Sequence, residues 1–117
     1  MDFKYYTQEE LDLNKIYIQE DNFGYRSIVK IFKFNGNLFT NHPLNYKCTT
    51  IKMCEFSEAI NKTVTGTNSN GTFIGTLTHL CLPYGKFEHK SEVFVRWHQG
   101  QRNIPAGWVN INALTIK

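Results

Sequence analysis

Hydrophobic and polar residues alternate along much of this 117-residue chain, and the two-residue period of that alternation favours β-strands. The pattern is clearest in Val93-Phe94-Val95-Arg96-Trp97-His98 and in residues 26–34. Aromatic residues make up 15% of the chain, which also favours pleated, half-buried strands. We therefore predict about seven short strands at hairpin spacing. The segments that carry a strand pattern are residues 15–20, 25–34, 38–40, 46–56, 63–67, 72–82, 92–98 and 107–116.

Turn and cap signals separate the predicted strands. The strongest is Asn35-Gly36, a typical two-residue hairpin turn. Thr7 followed by Glu10 has the form of a capping box, which predicts a helical turn over residues 8–13. Ser57 is a candidate cap for a second helical turn over residues 57–61. Further turns are predicted at Asp21-Asn22-Phe23-Gly24, Asn68-Ser69-Asn70-Gly71 and Pro83-Tyr84-Gly85.

Length and composition indicate one domain over residues 1–117 that can bury a core of its own. No window holds the roughly 20 consecutive apolar residues that a membrane helix needs. The first six residues lack the apolar core of a signal peptide, and the three cysteines are most simply reduced thiols. We therefore expect a cytoplasmic protein that does not bind a membrane.

The formal net charge of +3 is unevenly distributed. Residues 1–21 carry six acids and two bases, whereas residues 22–117 carry eleven bases and four acids. A basic body with an acidic leader predicts an acidic protein partner or a nucleic acid, unless the two segments neutralise each other by packing together. The scarcity of Arg against Asn, Lys and Ile is typical of AT-rich genomes, such as those of many phages.

Alternation places aromatic and cationic side chains together on one face of two predicted strands. In residues 93–98 this face carries Phe94, Arg96 and His98, and in residues 26–34 it carries Arg26, Lys30 and Phe32. The alternative is ordinary packing, in which Lys and Arg lay their stems over apolar neighbours. In the loop after residue 98, Arg102 lies between the two tryptophans and is a candidate ligand contact. The predicted binding residues are Arg26, Lys30, Phe32, Phe94, Arg96, Arg102 and Trp108.

The segment Gly107-Trp108-Val109, followed by Ala113-Leu114, resembles the end of an SH3 domain. There, Gly and an aromatic residue open a strand, a 3₁₀ turn follows, and an apolar residue begins the last strand. Together with the strand spacing and the capping box, the resemblance predicts a mainly β, small antiparallel β-barrel, SH3-like or OB-like, with a short N-terminal helical turn. SH3 domains have Pro at Asn110 and Tyr at Ala113. The resemblance therefore implies topology and Trp108 as a surface aromatic, and not a proline-rich peptide groove.

The sequence contains no local signature of a catalytic site or of a metal site. Cys48 and Cys54 are six residues apart and no Cys-x-x-Cys pair occurs, so we predict neither a metal site nor a cofactor. Nucleophile–base signatures and phosphate-binding glycine loops are also missing, which argues against an enzyme. We expect a non-catalytic binding module, a regulator or inhibitor encoded by a phage or mobile element. Nucleic-acid binding and sequestration of a small nucleotide are the alternatives, and homo-oligomerisation stays open.

Overall fold

The computed structural model describes residues 1–44, 46–68, 71–81, 90–99 and 107–117. This part of the chain contains nine β-strands and four 3₁₀ helices. The strands are β1 (Ile16–Glu20), β2 (Arg26–Phe34), β3 (Asn37–Thr40), β4 (Lys52–Glu55), β5 (Thr63–Asn68), β6 (Gly71–Leu80), β7 (Glu92–Gln99), β8 (Gly107–Asn110) and β9 (Leu114–Ile116). The helices are η1 (Gln8–Glu10), η2 (Cys48–Thr50), η3 (Phe56–Glu58) and η4 (Ile111–Ala113).

The strands form two curled antiparallel sheets. The first has the order β3-β2-β1-β4 and the second has the order β8-β7-β6-β5-β9. Helix η4 connects β8 and β9, the two edge strands of the second sheet. The predicted fold class is confirmed, because the described residues are mainly β, their helical turns are all short 3₁₀ turns, and the arrangement is compatible with a small β-barrel. None of the helices in the described segments is long and apolar enough to cross a bilayer.

One hydrophobic core joins the two sheets. Ile18 and Ile28 of the first sheet are fully buried in the same cluster as Val93 and Val95 of the second. Ile111 of η4 is also fully buried there, so the link between β8 and β9 is anchored in the core. Each of these side chains contributes about 1.5–3 kcal/mol on burial, which makes the junction a major source of stability.

A second cluster covers the opposite face of the first sheet. Tyr17, Val29 and Met53 are fully buried in it, beneath Tyr6 of the N-terminal segment and Cys48 of η2. The Tyr6 and Tyr17 rings meet edge to face with centroids 5.5 Å apart. The middle of β1 and β2 is therefore buried on both faces. The sequence pattern suggested a continuous aromatic and cationic surface on β2. A strand with both faces covered cannot present such a surface.

Before β3 begins to pair with β2, the backbone of β2 on that side is hydrogen-bonded by two asparagine side chains and by one backbone bridge. At Arg26 the backbone N–H donates to Asn112 Oδ1 at 2.7 Å, and Asn112 Nδ2 donates to the Arg26 carbonyl at 3.0 Å. Ile28 exchanges two backbone hydrogen bonds with Lys90, at 2.7 and 3.1 Å. At Lys30, the Asn41 Oδ1 accepts from the backbone N–H at 2.9 Å. These contacts satisfy backbone groups where β3 has not yet begun to pair.

Several local predictions agree with the structure. Asn35 (φ 49°) and Gly36 (φ 80°) form the predicted hairpin turn between β2 and β3, with the left-handed backbone of a type I′ turn. Gly24 has a φ of 85° in the predicted turn between β1 and β2. Strand β8, helix η4 and strand β9 reproduce the predicted order of strand, tight bend and closing strand.

Other predictions need correction. The predicted strand over residues 46–56 is only β4, because η2 interrupts its first half and brings Cys48 and Ile51 into one cluster. Thr50 favours that turn, since its backbone N–H and its hydroxyl both donate to the Lys47 carbonyl, at 2.9 and 2.7 Å. The N-terminal helical turn is limited to η1, and η3 begins at Phe56, ahead of its predicted cap Ser57. The predicted turn at residues 83–85 lies outside the described residues.

Candidate functional site

The outer face of the second sheet is the candidate binding surface. Along β7, Val93 and Val95 are fully buried in the shared core, so the alternating Phe94 and Arg96 project to the other side. Phe94 is half-buried, whereas Arg96 and His98 are exposed. The face predicted for residues 93–98 is therefore present. Its inner side holds the core, and its outer side carries aromatic and basic groups.

Three rings form a row across three neighbouring strands of this face. His79 of β6 meets Phe94 of β7 edge to face, with centroids 6.0 Å apart and planes at 84°. Phe94 in turn meets Trp108 of β8 at 5.4 Å and 80°. The strand register explains the row, because Phe94 is paired with His79 on one side and Trp108 on the other. We call His79, Phe94 and Trp108 the aromatic row.

A β-bulge places His79 in the aromatic row. The pairing of β6 with β7 shifts between Leu77 and His79, so Thr78 is the extra residue. The Thr78 hydroxyl donates to the Phe94 carbonyl at 3.3 Å and lies 3.0 Å from His79 Nδ1. Strict alternation along β6 would put His79 on the same face as Phe73 and Leu77, which are buried. No short sequence signal marks this bulge, which is why His79 was missed.

Basic groups lie beside the aromatic row. Arg96 is two residues beyond Phe94 on the same face, and within the described ranges no acidic side chain pairs with its guanidinium. His98 Nε2 lies 3.3 Å from the Thr76 hydroxyl on the neighbouring strand. Trp108 is 55% exposed although one side of its ring contacts Phe94. A cation with no acidic partner among the described residues, on the same face as a half-exposed indole, can form charge-assisted hydrogen bonds and stacking contacts with a partner.

Arg26 occupies a different environment from the one predicted. Its Nε donates to Glu20 Oε2 at 3.0 Å, and both side chains are about three-quarters buried. Its guanidinium also lies over the Phe3 ring, 4.7 Å from the centroid. The charge of Arg26 is therefore already engaged within the protein, at the junction of the two sheets. Glu20 and Phe3 are the acidic and aromatic partners that the sequence pattern did not reveal.

Lys30 and Phe32 lie on the first sheet, apart from the aromatic row. They share a face of β2 with Ile28, which turns inward to the core between the sheets. Phe94, by contrast, lies on the face of the second sheet that turns away from that core. Lys30 is exposed, and Phe32 stacks on Phe39 of β3 with centroids 5.9 Å apart. The predicted residues are thus divided between two surfaces.

Arg102 lies outside the described residues, so its predicted role stays a prediction. Of the seven predicted binding residues, the structure brings together Phe94, Arg96 and Trp108.

Two thiols of the described residues, Cys48 and Cys54, are buried in the hydrophobic cores. Burial raises the pKa of both Cys48 and Cys54 to about 12, which keeps these thiols protonated and poorly nucleophilic near neutral pH. Within residues 1–44, 46–68, 71–81, 90–99 and 107–117, no three His, Cys, Asp or Glu side chains are grouped to hold a metal ion.

Comparison with known proteins adds no further assignment: no protein-family model, curated protein or solved structure matches this chain.

Proposed function

We propose that this protein is a non-catalytic binding module that holds a macromolecular partner on the outer face of its second sheet. The observation that carries the proposal is the aromatic row of His79, Phe94 and Trp108, with Arg96 on the same face and without an acidic partner among the described residues. Its central ring, Phe94, stands on β7, where the neighbouring Val93 and Val95 are fully buried on the inner side, so the core fixes the position of this ring. A rigid surface loses little conformational freedom on binding, which favours affinity.

An acidic protein surface with an apolar centre is the partner that this face fits best. Trp and Arg are the residue types that most often dominate binding energy, commonly by about 2 kcal/mol or more for each hot spot. Trp108 and Phe94 would supply the apolar anchor, and Arg96 would steer and hold a carboxylate. A regulator or inhibitor encoded by a phage or mobile element works in this way, by occupying a surface of its target.

Point variants on the two surfaces test the proposal. The partner is first identified by mass spectrometry of proteins that copurify with the chain from its native host. Trp108→Ala is then expected to weaken partner binding at least tenfold with little change in thermal stability. Phe23→Ala is the matched control, because Phe23 is 88% exposed in the turn between β1 and β2 and does not belong to the aromatic row. Equal affinity of parent and Trp108→Ala would refute the proposal.

The double variant Arg96→Ala/Arg102→Ala tests the cationic part of the surface. It is expected to keep the fold, because Arg96 is exposed and outside the core, and to lose the partner. Arg96→Ala alone separates the contribution of the described arginine from that of Arg102. Retention of full affinity by the double variant would contradict the proposed contact between these arginines and the partner.

Single-stranded nucleic acid is the second candidate partner, and the spacing of the aromatic row favours it. Rings on three adjacent strands can stack on successive bases for about 1–3 kcal/mol each, while Arg96 contacts a phosphate. Titration of a fluorescently labelled oligothymidine at several salt concentrations distinguishes this candidate. Nucleic-acid binding is expected to weaken log-linearly with salt, with a slope smaller by about 0.7 in Arg96→Ala. A protein interface with an apolar centre would respond less to salt.

Sequestration of a small nucleotide gains no support from the described residues. A cavity of about 260 Å³ adjoins Arg26, Asn112 and Thr115, but Arg26 is already paired with Glu20. No member of the aromatic row lines this cavity to hold a base.

A further inference from the structure

The inner side of the second sheet contains a second aromatic surface, which the outer-face proposal does not use. Trp97 of β7 points inward, and its indole lies across two glycines on neighbouring strands. A Cβ at Gly66 of β5 would lie 3.0 Å from Trp97 Cη2, and a Cβ at Gly75 of β6 would lie 3.0 Å from Trp97 Cε3. The ring therefore rests on bare backbone, and any larger residue at either position would displace it. This arrangement holds the indole flat against the sheet.

A cavity of about 290 Å³ opens above this indole. Every strand of the second sheet contributes to its lining, as does η4, so it occupies the mouth of the curled sheet. Phe73 forms one wall, 4% exposed and edge to face with Trp97 at 6.0 Å and 70°. Leu114 and Val109 form the sides, and the exposed Ala113 lies at the rim. The mouths of small β-barrels are common positions for ligand sites.

The lining defines the chemistry of an occupant. Among the described residues no charged side chain lines the cavity, and the hydroxyl of Thr67 lies 3.4 Å from the Thr72 hydroxyl. An apolar lining excludes a charged ligand, because no group would compensate its lost hydration. The flat indole and the perpendicular phenyl ring favour stacking with another planar ring. An apolar cavity of about 150 Å³ accepts benzene, so this volume suits a ring system of two fused rings.

We propose that this cavity is a binding site for a small, uncharged, flat aromatic molecule that stacks on Trp97. The site is independent of the aromatic row, since Trp97 and Trp108 lie on opposite faces of the second sheet. Failure of one proposal therefore leaves the other standing.

Indole is a suitable test ligand, and the side-chain resonance of Trp97 is a direct readout. In ¹H–¹⁵N spectra of the full chain, indole is expected to shift the Trp97 Nε1–H peak saturably. The expected dissociation constant is below about 1 mM, in line with the efficiency of small ligands. Trp108→Phe assigns the peak, because it leaves Trp97 as the single tryptophan. No saturable shift of the Trp97 peak, or a shift of the Trp108 peak alone, would overturn the proposal.

Two further comparisons test the chemistry and the location. Indole-3-acetate and tetramethylammonium carry charges and are expected to bind at least tenfold more weakly than indole. Stronger binding of either ion would overturn the assignment of an uncharged ligand. Ala113→Phe is expected to fill the rim and to weaken indole binding at least tenfold. Thr115→Phe is the matched control, because Thr115 is exposed nearby but does not line this cavity. Equal affinity of both variants for indole would overturn the location.

Discussion

Asn112 of η4 connects the start of β2 to the second sheet, so its truncation is expected to lower the stability of the protein by an amount that can be calculated from two hydrogen bonds. Asn112→Ala removes the 2.7 Å bond from the Arg26 N–H and the 3.0 Å bond to the Arg26 carbonyl. Each such bond contributes about 0.5–1.5 kcal/mol net. Asn112 is exposed, so water recovers part of the loss. The expected decrease in the free energy of unfolding is therefore about 1–2 kcal/mol, equivalent to a Tm lower by about 4–8 °C.

Urea unfolding and hydrogen exchange together check this reasoning. The urea midpoint is expected to fall with an unchanged m value, because the same surface unfolds. The Arg26 amide is expected to lose protection, while the Ile28 amide keeps it through its bond to the Lys90 carbonyl. Asn22→Ala is the matched control, an exposed asparagine in the turn between β1 and β2, with an expected change within about 0.5 kcal/mol. Unchanged protection of Arg26 in a folded Asn112→Ala variant would refute the argument.

Three further predictions concern packing and ionisation. Gly75→Ala is expected to lower the free energy of unfolding, measured in urea, by about 1–3 kcal/mol, because the new Cβ would lie 2.7 Å from a backbone oxygen. Gly66→Ala is expected to lower it less, because the new Cβ there would contact only side chains. Burial raises the pKa of Cys48 and Cys54 to about 12, so stability is expected to fall from about pH 9, where unfolded thiols ionise, towards pH 12; a flat profile of unfolding free energy over this range would contradict it. Hydrogen bonds from Lys4 and Thr7 lower the pKa of Glu10 to about 2. The stabilisation that ionised Glu10 provides is therefore expected to be complete above about pH 4.5 and to be lost as the pH falls towards 2. NMR titration of the Glu10 carboxylate checks this prediction.

The sequence predicted those elements whose local signals agree with their surroundings. Asn35-Gly36 specifies a type I′ turn by backbone preference alone, and the hairpin forms there. The alternation in residues 93–98 likewise predicted which side chains of β7 are buried. In both cases the information is local. Tertiary packing then reinforces the preference already present in the chain.

Elements that depend on distant partners were not predictable in the same way. Residues 27–29 are buried on both faces, because separate core clusters cover the two sides of the first sheet. An alternating strand with one solvated face has the same sequence pattern, so Arg26 was grouped with exposed residues. Its partners, Glu20 across the hairpin and Phe3 at the N-terminus, become visible only in three dimensions.

The candidate site likewise combines residues that were predicted from local sequence with one residue, His79, that depends on the tertiary structure. Phe94 and Trp108 were predicted as binding residues separately, and the antiparallel register of β7 and β8 makes them neighbours. His79 joins them only because Thr78 is bulged, and a one-residue insertion reverses the faces of every following side chain. The bulge thus turns His79 outward, whereas strict alternation from the buried Leu77 would turn it toward the core.

The structure also separates the residues that stabilise the second sheet from those proposed to bind a partner. Val95 and Arg96 are adjacent in the chain, but the first is fully buried in the core and the second is exposed. Truncation of Val95 is therefore expected to lower Tm and to change affinity only through unfolding. Truncation of Arg96 is expected to change affinity with Tm within about 2 °C of the parent, as surface substitutions usually do. If Arg96→Ala weakened binding only in proportion to a loss of stability, the outer face would be a structural surface, and the binding proposal would have to be abandoned.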